Sequence, residues 1–449
     1  MDLPGVCPKP LSHLSAEGRN VTSPVGAGGN LLLGRELACL TGTRIYDDLH
    51  ARQLSGLFCF CVNSSQAIHF ETDFANSRST TRFMESIGWL ATLAATLIPL
   101  SLIWDYSWET SIGVDRMWSP PHVATHLAVW LFAIIALTSL VCCTRAGQGG
   151  IKLGPLRAPA GAWLLLWGVV AFETAFLFDN WWQLAYGLGA GIWHPPQILK
   201  AAAFIVLEIG VLALCRGARG FETNRLAQLR FAWNAGMLLA LICLMLGTAL
   251  LANEQHAAPF YRKCAAVIPV GLLLAATAVR VPWGATIAAL AYMLVSGAMV
   301  WLLPCIPAQP LTPPIHNPLD HLLPPPFPLL LVLPARVLDW LRAWLRVNES
   351  RVGEISLAAF AGLAFVAAFV PVQWFFAEFL LSPAADDGFF AGGGRHWPYF
   401  LRIDEARVKF WRTTQAPFTL ATLFWSAGLA IVSSYVGIQL SRWLRRLHA

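Results

Sequence analysis

Charged residues are scarce in this chain of 449 residues: Asp, Glu, Lys and Arg make up 12%, hydrophobic residues make up 56%, and the mean hydropathy is +0.57. Soluble domains carry about 25% charged residues, so this composition excludes an ordinary soluble protein. The net charge of +6 does not indicate nucleic acid, because the basic residues cluster at the ends of apolar segments. We expect an all-α, polytopic membrane helical bundle that contacts the lipid bilayer and binds no nucleic acid.

Residues 1–83 lack an apolar run long enough to cross a bilayer. They also lack the charged start, apolar core and small-residue cleavage site of a signal peptide. Cys59 and Cys61 would suit a metal or redox pair. We nevertheless expect 1–83 to be a poorly structured extension, or a non-native one upstream of a start at Met84, and 84–449 to be the transmembrane domain.

A membrane-spanning helix needs about 20 mainly apolar residues. Ten segments meet this requirement, at about 85–104, 122–143, 159–178, 196–215, 231–252, 263–279, 283–304, 328–346, 356–381 and 417–437. The eighth is the least secure, because Pro334, Asp339 and Arg342 lie within it. It would also suit an interfacial or re-entrant helix.

The basic residues favour one orientation of these spans. Most Lys and Arg fall in the connections after every second span and in the C-terminal tail, and basic connections mark the cytoplasmic side. Both termini are then cytoplasmic, and seven of the eight histidines after Met84 lie at or near the outer face. Imidazole is a common metal ligand and proton carrier, so chemistry is expected at that face. The alternative is that histidine simply suits loops and helix ends.

Two stretches read as copies of each other: "WDYSWETSIGVDRMWSPPH" from Trp104 and "FDNWWQLAYGLGAGIWHPPQ" from Phe178. When Asp105 is aligned with Asp179, tryptophan, glycine and a proline pair recur in the same order, at a repeat of about 74 residues. Each stretch reads as the tip of a helical hairpin. We therefore predict duplicated hairpins, over 85–143 and 159–215, whose polar tips face each other.

The first tip groups polar side chains that suit a metal ion. Asp105 and Glu109 are four residues apart and share a helix face, and His122 falls in the first turn of the returning helix. The positive end of the helix dipole disfavours imidazolium there, and neutral imidazole is the form that binds a metal. His126 lies one turn deeper on the same face. The simpler alternative is that these residues cap helices beside an ordinary interfacial belt of tryptophans.

The spacing of the first tip resembles a known metal site. Asp-x3-Glu-x12-His, formed by Asp105, Glu109 and His122, is similar to the Asp-x3-His-x12-His element of the C subunit of copper membrane monooxygenases, the particulate methane and ammonia monooxygenases. The resemblance covers about 95 of the 449 residues. It implies a copper ion at the tip, oxidation of a small apolar substrate, and other membrane subunits as partners.

The second tip resembles that family's second site, Asn-x3-His-x13-His, through Asp179, Gln183 and Gln197. Spacing agrees at both tips, but ligand type does not, because Glu109 and the two glutamines stand where the family has histidine. Carboxylates suit iron, manganese or zinc better than copper. The sequence therefore leaves the identity of the ion open among these four metals.

The predicted site contains one metal ion. If the two tips converge, four residues would hold the ion, namely Asp105, Glu109, His122 and Asp179. Spare ligands, or hydrogen-bond partners of the ligands, would be His126, Gln183, His194 and Gln197.

Two carboxylates, Glu173 and Glu208, lie deeper within the third and fourth spans. A charge near the membrane centre costs at least about 2.5 kcal/mol, so we expect neither side chain to face lipid. They would carry protons, support a metal or pair with a neighbour such as Lys200.

Two connections at the predicted outer face are unusual. Residues 305–326 are rich in proline and are predicted to be extended, whereas 382–416 are aromatic and charged and suit a lid or a partner surface. Three functions are compatible with all these features: a metal-dependent, monooxygenase-like membrane enzyme, a transporter or proton- or ion-conducting protein, and a non-catalytic structural subunit.

Overall fold

The computed structural model describes residues 64–447 apart from 115, 149, 188–193, 219, 346–350, 393–396 and 403–416, with side chains from residue 85 onward except those of 248 and 249. Residues 1–63, most of the predicted N-terminal extension, lie outside the described residues. The described part is mostly helical and its only strands form one short β-hairpin, which confirms the predicted all-α membrane bundle. The division into an extension and a transmembrane domain stays a prediction.

The described residues form ten α-helices and two short strands. The helices are α1 (Ser64–Ser111), α2 (Pro120–Ala146), α3 (Ala160–Tyr186), α4 (Pro195–Arg216), α5 (Arg225–Leu244), α6 (Ala258–Ala278), α7 (Gly284–Leu302), α8 (Val332–Leu345), α9 (Arg351–Leu380) and α10 (Leu420–Arg446). The strands β1 (Ile151–Leu153) and β2 (Leu156–Ala158) pair in antiparallel fashion between α2 and α3. Two 3-10 turns follow α5, at Gly247–Leu250 and Ala252–Glu254, and one each follows α7 and α9, at Leu303–Cys305 and Pro383–Ala385.

Within this described part, nine helices are long and apolar enough to cross a bilayer: the Glu85–Ser111 part of α1, α2 to α7, α9 and α10. They correspond to nine of the ten predicted spans. Both α2 and α4 begin with a proline pair, because proline has no N–H to leave unsatisfied in the first turn and its φ suits a helix start. The proline pairs therefore set where each returning helix of the two hairpins begins.

The helices α1 to α4 contain the two predicted hairpins and share a core that includes Phe132, Phe172 and Leu207. The second hairpin is especially tight, because a Cβ on Gly161 would lie 2.6 Å from the carbonyl oxygen of Gly210. Small residues let membrane helices approach this closely. We call the end of the bundle where α1 and α3 finish and α2 and α4 begin the tip end.

The eighth predicted span, 328–346, is wrong as a spanning helix. Its helical part, α8, has 14 residues, about 21 Å at about 1.5 Å per residue, which is shorter than the hydrocarbon core of about 30 Å. The chain before α8 carries prolines at 324, 325, 326 and 328. Proline cannot donate a helix hydrogen bond, so this part of the apolar run is extended.

The extended chain and α8 together still pass from the tip end to the opposite end, and we call Leu322–Leu345 the broken crossing. At the tip end, the hydroxyl of Ser107 donates to the carbonyl of Leu323 (2.6 Å). At the opposite end, the carboxylate of Asp339 accepts from the backbone N–H of Thr286 (2.8 Å), in the first turn of α7. The eighth predicted segment therefore still runs from one end of the bundle to the other, but only its second half is helical.

Polar side chains accept hydrogen bonds from backbone N–H groups in the extended half of the broken crossing. The N–H of Leu329 donates to the hydroxyl of Tyr292 (3.0 Å), and the N–H of Leu330 donates to Oε1 of Gln373 (3.0 Å). The amide of Gln373 in turn donates to Oε1 of Gln255 (2.6 Å). Irregular backbone at membrane depth is tolerated only where protein or water satisfies it, and here buried side chains of α7 and α9 do so.

Candidate functional site

The first hairpin tip brings Asp105 and His122 together. Asp105 lies near the end of α1 and His122 lies in the first turn of α2, and Nε2 of His122 is 3.5 Å from Oδ1 of Asp105. The two side chains are 20% and 21% exposed, so the pair can be reached from the surface. Glu109 lies one turn after Asp105 on α1 and is exposed.

The hydrogen bond of Nδ1 of His122 determines which nitrogen of the ring carries the hydrogen, and so whether Nε2 faces Asp105 as a lone pair. Nδ1 lies 3.0 Å from the carbonyl oxygen of Arg116. A carbonyl only accepts, so Nδ1 carries the hydrogen, and this assignment follows from the hydrogen bond. In the neutral ring Nε2 then turns its lone pair toward the carboxylate. The contact becomes attractive when a positive species lies between the two atoms, either a proton on Nε2 or a metal ion.

The spacing of this pair fits an ion. Two ligand atoms each about 2.1 Å from a tetrahedral metal are about 3.4 Å apart, close to the 3.5 Å between Nε2 of His122 and Oδ1 of Asp105. Within the described residues, however, no three His, Cys, Asp or Glu side chains are grouped so that they could hold a metal. The four predicted ligands are therefore not assembled into one group, and the metal site stays a prediction.

The second tip holds Asp179 in a different way. Oδ2 of Asp179 accepts from Nζ of Lys200 (2.7 Å) and from the amide of Gln183 (3.2 Å), and Oδ1 lies 3.5 Å from Nε2 of His194. Asp179 is only 5% exposed. The Lys200 ammonium supplies its counter-charge, so Asp179 belongs to the second tip and does not join Asp105 and His122. The side chain of Gln197 makes no hydrogen bond to another described residue.

A third acid–imidazole pair lies one turn deeper, between the two hairpins. Nδ1 of His126 is 3.1 Å from Oε1 of Glu173, and the indole N–H of Trp130 donates to the same oxygen (3.0 Å). The ring of His126 is buried against Phe172 and Phe176, at centroid distances of 5.4 and 4.4 Å. Of the three alternatives for Glu173, the structure shows a pairing with a neighbour, His126, and its side chain is 33% exposed and so less shielded than expected.

Glu208 is a fully buried carboxylate in the middle of α4. It is 0% exposed, and neither carboxylate oxygen has a hydrogen-bond partner among the described residues. Lys200, which the sequence offered as a neighbour, binds Asp179 instead. Glu208 is therefore a buried acid whose role packing does not explain.

The two connections that the sequence predicts at the outer face pack on the first tip. The N–H of Tyr399 donates to the carbonyl of Thr110 (3.1 Å), and the N–H of Leu311 donates to the carbonyl of Ile112 (2.8 Å). Gly113, which follows Ile112, has φ +135°, and a Cβ there would lie 2.4 Å from Oγ1 of Thr312. Only glycine therefore fits at this position. Residues 393–396 and 403–416 of the predicted lid lie outside the described residues.

Sequence reasoning missed the contribution of Trp130 and the pairing of Lys200 with Asp179. The first could have been found, because His122, His126 and Trp130 are four residues apart on α2 and share one face. The second depends on how α3 and α4 align in the hairpin, which the residue types do not reveal.

Comparison with protein-family models, with curated proteins and with solved structures found no match to this chain. The resemblance to copper membrane monooxygenases therefore rests on the spacing at the two tips.

Proposed function

We propose that this integral membrane protein binds one divalent metal ion at its first hairpin tip, with Asp105 and His122 as protein ligands. The supporting observation is that Nε2 of His122 and Oδ1 of Asp105 are 3.5 Å apart while the other ring nitrogen is held by the carbonyl of Arg116. A hydrogen bond of this kind to the remote nitrogen is what orients metal-binding histidines. Glu109, one turn after Asp105 on α1, is a predicted ligand that could move to the ion, and water would complete the coordination.

The resemblance supplies the chemistry of this proposal. The ion would be copper, as in the resembled family, or iron, manganese or zinc, which carboxylate ligands favour. It would serve the oxidation of a small apolar substrate that enters from the bilayer, in a monooxygenase-like enzyme with other membrane subunits as partners. The proposal places the tip at the outer face and both termini in the cytoplasm.

Elemental analysis of the purified full chain tests the proposal. We expect about one metal ion per chain in the wild type and at least a tenfold loss in a variant that combines Asp105→Ala with His122→Ala. The matched control combines Asp179→Ala with His194→Ala, which removes the same residue types from the second tip and should leave the metal content unchanged. Equal metal content in the wild type and the first-tip variant would end the proposal.

Glu208 and the broken crossing favour a second function, the conduction of protons or ions. An unpartnered acid inside a membrane helix is a common element of proton paths, and interrupted helices occur at the binding sites of transporters. Proteoliposomes would then show a proton flux that Glu208→Gln abolishes and that chelators do not change. A flux equal in both proteins, or absent from both, would reject conduction through Glu208.

A further inference from the structure

We propose that Glu173, His126 and Trp130 form a site that binds an amphipathic molecule from the bilayer through a hydrogen-bond donor, such as a hydroxyl, at its polar end. The site needs no metal ion and is separate from the pair formed by Asp105 and His122. It is the one place among the described side chains where a single carboxylate oxygen is hydrogen-bonded by both an imidazole and an indole.

The carboxylate of Glu173 has one satisfied oxygen and one that is available. Oε1 accepts from Nδ1 of His126 (3.1 Å) and from the indole N–H of Trp130 (3.0 Å), whereas no described donor reaches Oε2. The Glu173 side chain is 33% exposed, and Trp130 is 46% exposed. The available oxygen therefore belongs to a side chain that opens outward beside an apolar indole ring.

The imidazole of His126 adds a second acceptor. Because Nδ1 donates to the carboxylate, Nε2 holds a lone pair in the neutral ring. This nitrogen is buried and has no hydrogen-bond partner among the described residues. Oε2 of Glu173 and Nε2 of His126 are thus both acceptors without a described donor. The ligand must supply the hydrogen, so a ligand that only accepts, such as a ketone or an anion, would not be recognised.

The depth of the site identifies the source of the ligand. The helix α2 has 27 residues, about 40 Å at about 1.5 Å per residue, so a hydrocarbon core of about 30 Å begins about 5 Å below each end. His126 lies six residues after Pro120, about 9 Å below the tip end. Glu173 thus opens just inside the hydrocarbon, where bulk water does not reach. An alcohol with an apolar body places its hydroxyl at this level.

Photolabelling of the full chain in phosphatidylcholine nanodiscs tests this site. The probe is a decanol that carries a diazirine on its alkyl chain, and labelled peptides are identified by mass spectrometry. We expect saturable labelling of α2 and α3 near Trp130 and Glu173. Excess 1-decanol should displace the probe, whereas decane, which has the same apolar body without a hydroxyl, should not.

Two variants and one matched control identify the residues responsible. Glu173→Leu should weaken labelling affinity about tenfold or more, because hydrogen bonds to charged groups are the strong ones. His126→Phe, which keeps the ring volume, should weaken it several-fold and serves if the first variant does not fold. The control is Glu378→Leu. Glu378 also accepts from the indole of a tryptophan, Trp374 (3.0 Å), but the nearby His256 makes no hydrogen bond to its carboxylate. This variant should leave the affinity unchanged.

The proposal is overturned if decane displaces the probe as well as decanol does, or if Glu173→Leu and His126→Phe both label like the wild type. It is also overturned if Glu378→Leu loses as much affinity as Glu173→Leu. Nanodiscs that contain diacylglycerol, a lipid with a free hydroxyl, identify the natural source. Reduced labelling there indicates a lipid hydroxyl, and unchanged labelling indicates a free amphipathic molecule; both outcomes support a site for a hydroxyl donor. Loss of metal from the first tip would not affect any of these results.

Discussion

The two hairpin tips have closely similar spacings in sequence and the same aspartate–histidine distance, yet they differ in what else contacts the aspartate. At both tips a histidine Nε2 lies 3.5 Å from an aspartate Oδ1. The histidine comes from the helix in the first tip (His122) and from the residue before the helix in the second (His194). At the second tip, Lys200 adds an ammonium at 2.7 Å from Asp179. The duplicated hairpins therefore share the same aspartate–histidine distance although the other side chains around the aspartate differ.

This comparison shows why ligand type matters more than spacing. In the alignment by the proline pairs, Lys200 stands where the first tip has Thr125, whose hydroxyl bonds to Ser101 (2.9 Å). A lysine at this position places a positive charge beside Asp179, whereas our proposal places a metal ion beside Asp105. The second tip thus has an internal counter-charge. Two experiments can break or sharpen the contrast between the tips, and a third tests a buried histidine away from both.

The largest effect is expected from Lys200→Thr, which gives the second tip the residue of the first. Asp179 is 5% exposed, and removal of one partner of a buried ion pair costs about 3–5 kcal/mol. We expect a loss of about 3 kcal/mol in the free energy of unfolding, measured by denaturant titration in detergent. Added Zn²⁺ should restore part of it and raise the bound metal from about one to about two ions per chain, because a ligand that binds only the folded state stabilises it.

The matched control for that experiment is Lys200→Thr combined with Asp179→Asn, which removes both charges. It should recover most of the stability and bind no second ion. If Lys200→Thr unfolds like the wild type, the ammonium is not what holds Asp179.

A smaller effect is expected at the glycines of the two turns. Gly113→Ala must adopt φ +135° and meets Thr312 at 2.4 Å, whereas Gly187 has φ +87° with no described atom within 4 Å of its added Cβ. A residue forced into such a backbone region costs about 1–3 kcal/mol. We expect Gly113→Ala to lower the melting temperature clearly more than Gly187→Ala. Addition of Thr312→Ala should recover part of the loss at the first tip. Equal losses of melting temperature at both glycines would show that the chain around Thr312 does not restrict the residue at position 113.

The smallest effect concerns His256, a buried histidine that lies outside the membrane-spanning helices. Burial lowers its pKa, and this outweighs the opposing effect of Glu378. The folded state then binds fewer protons than the unfolded state below the ordinary histidine pKa of about 6.5. Stability is therefore complete above that pH and falls as the pH drops toward the lowered pKa. His256→Phe should flatten this part of the stability profile, measured by thermal unfolding between pH 5 and 7, and an unchanged slope would assign it to other groups.

Much of the fold could be predicted from the sequence, because apolar runs of bilayer length admit few structures other than helices. The eighth run shows the limit of that reasoning. A count of apolar residues ignores which N–H groups are missing, and the prolines before Pro334 interrupt the helix although the run remains apolar. The extended chain is stable because Tyr292 and Gln373 accept hydrogen bonds from its N–H groups. Both acceptors lie in other helices, so the sequence around residue 329 does not predict them.

The candidate site could be predicted only in part. The alignment of Asp105 with Asp179 identified both acids and placed His122 opposite Asp105, because a hairpin returns the chain to its starting level. It did not identify His194 or Lys200 as the contacts of Asp179. Those contacts depend on the register of α3 against α4, which glycines such as Gly161 set by close approach.

The broken crossing also constrains how the chain is made. A helix satisfies its own backbone and can leave the translocon alone, but Leu322–Leu331 would enter lipid with N–H groups exposed. One acceptor, Tyr292, has already been synthesised by then, whereas the other, Gln373, emerges only with α9. Integration of this stretch must therefore await a later helix, and a chain truncated before α9 should remain an incompletely inserted intermediate.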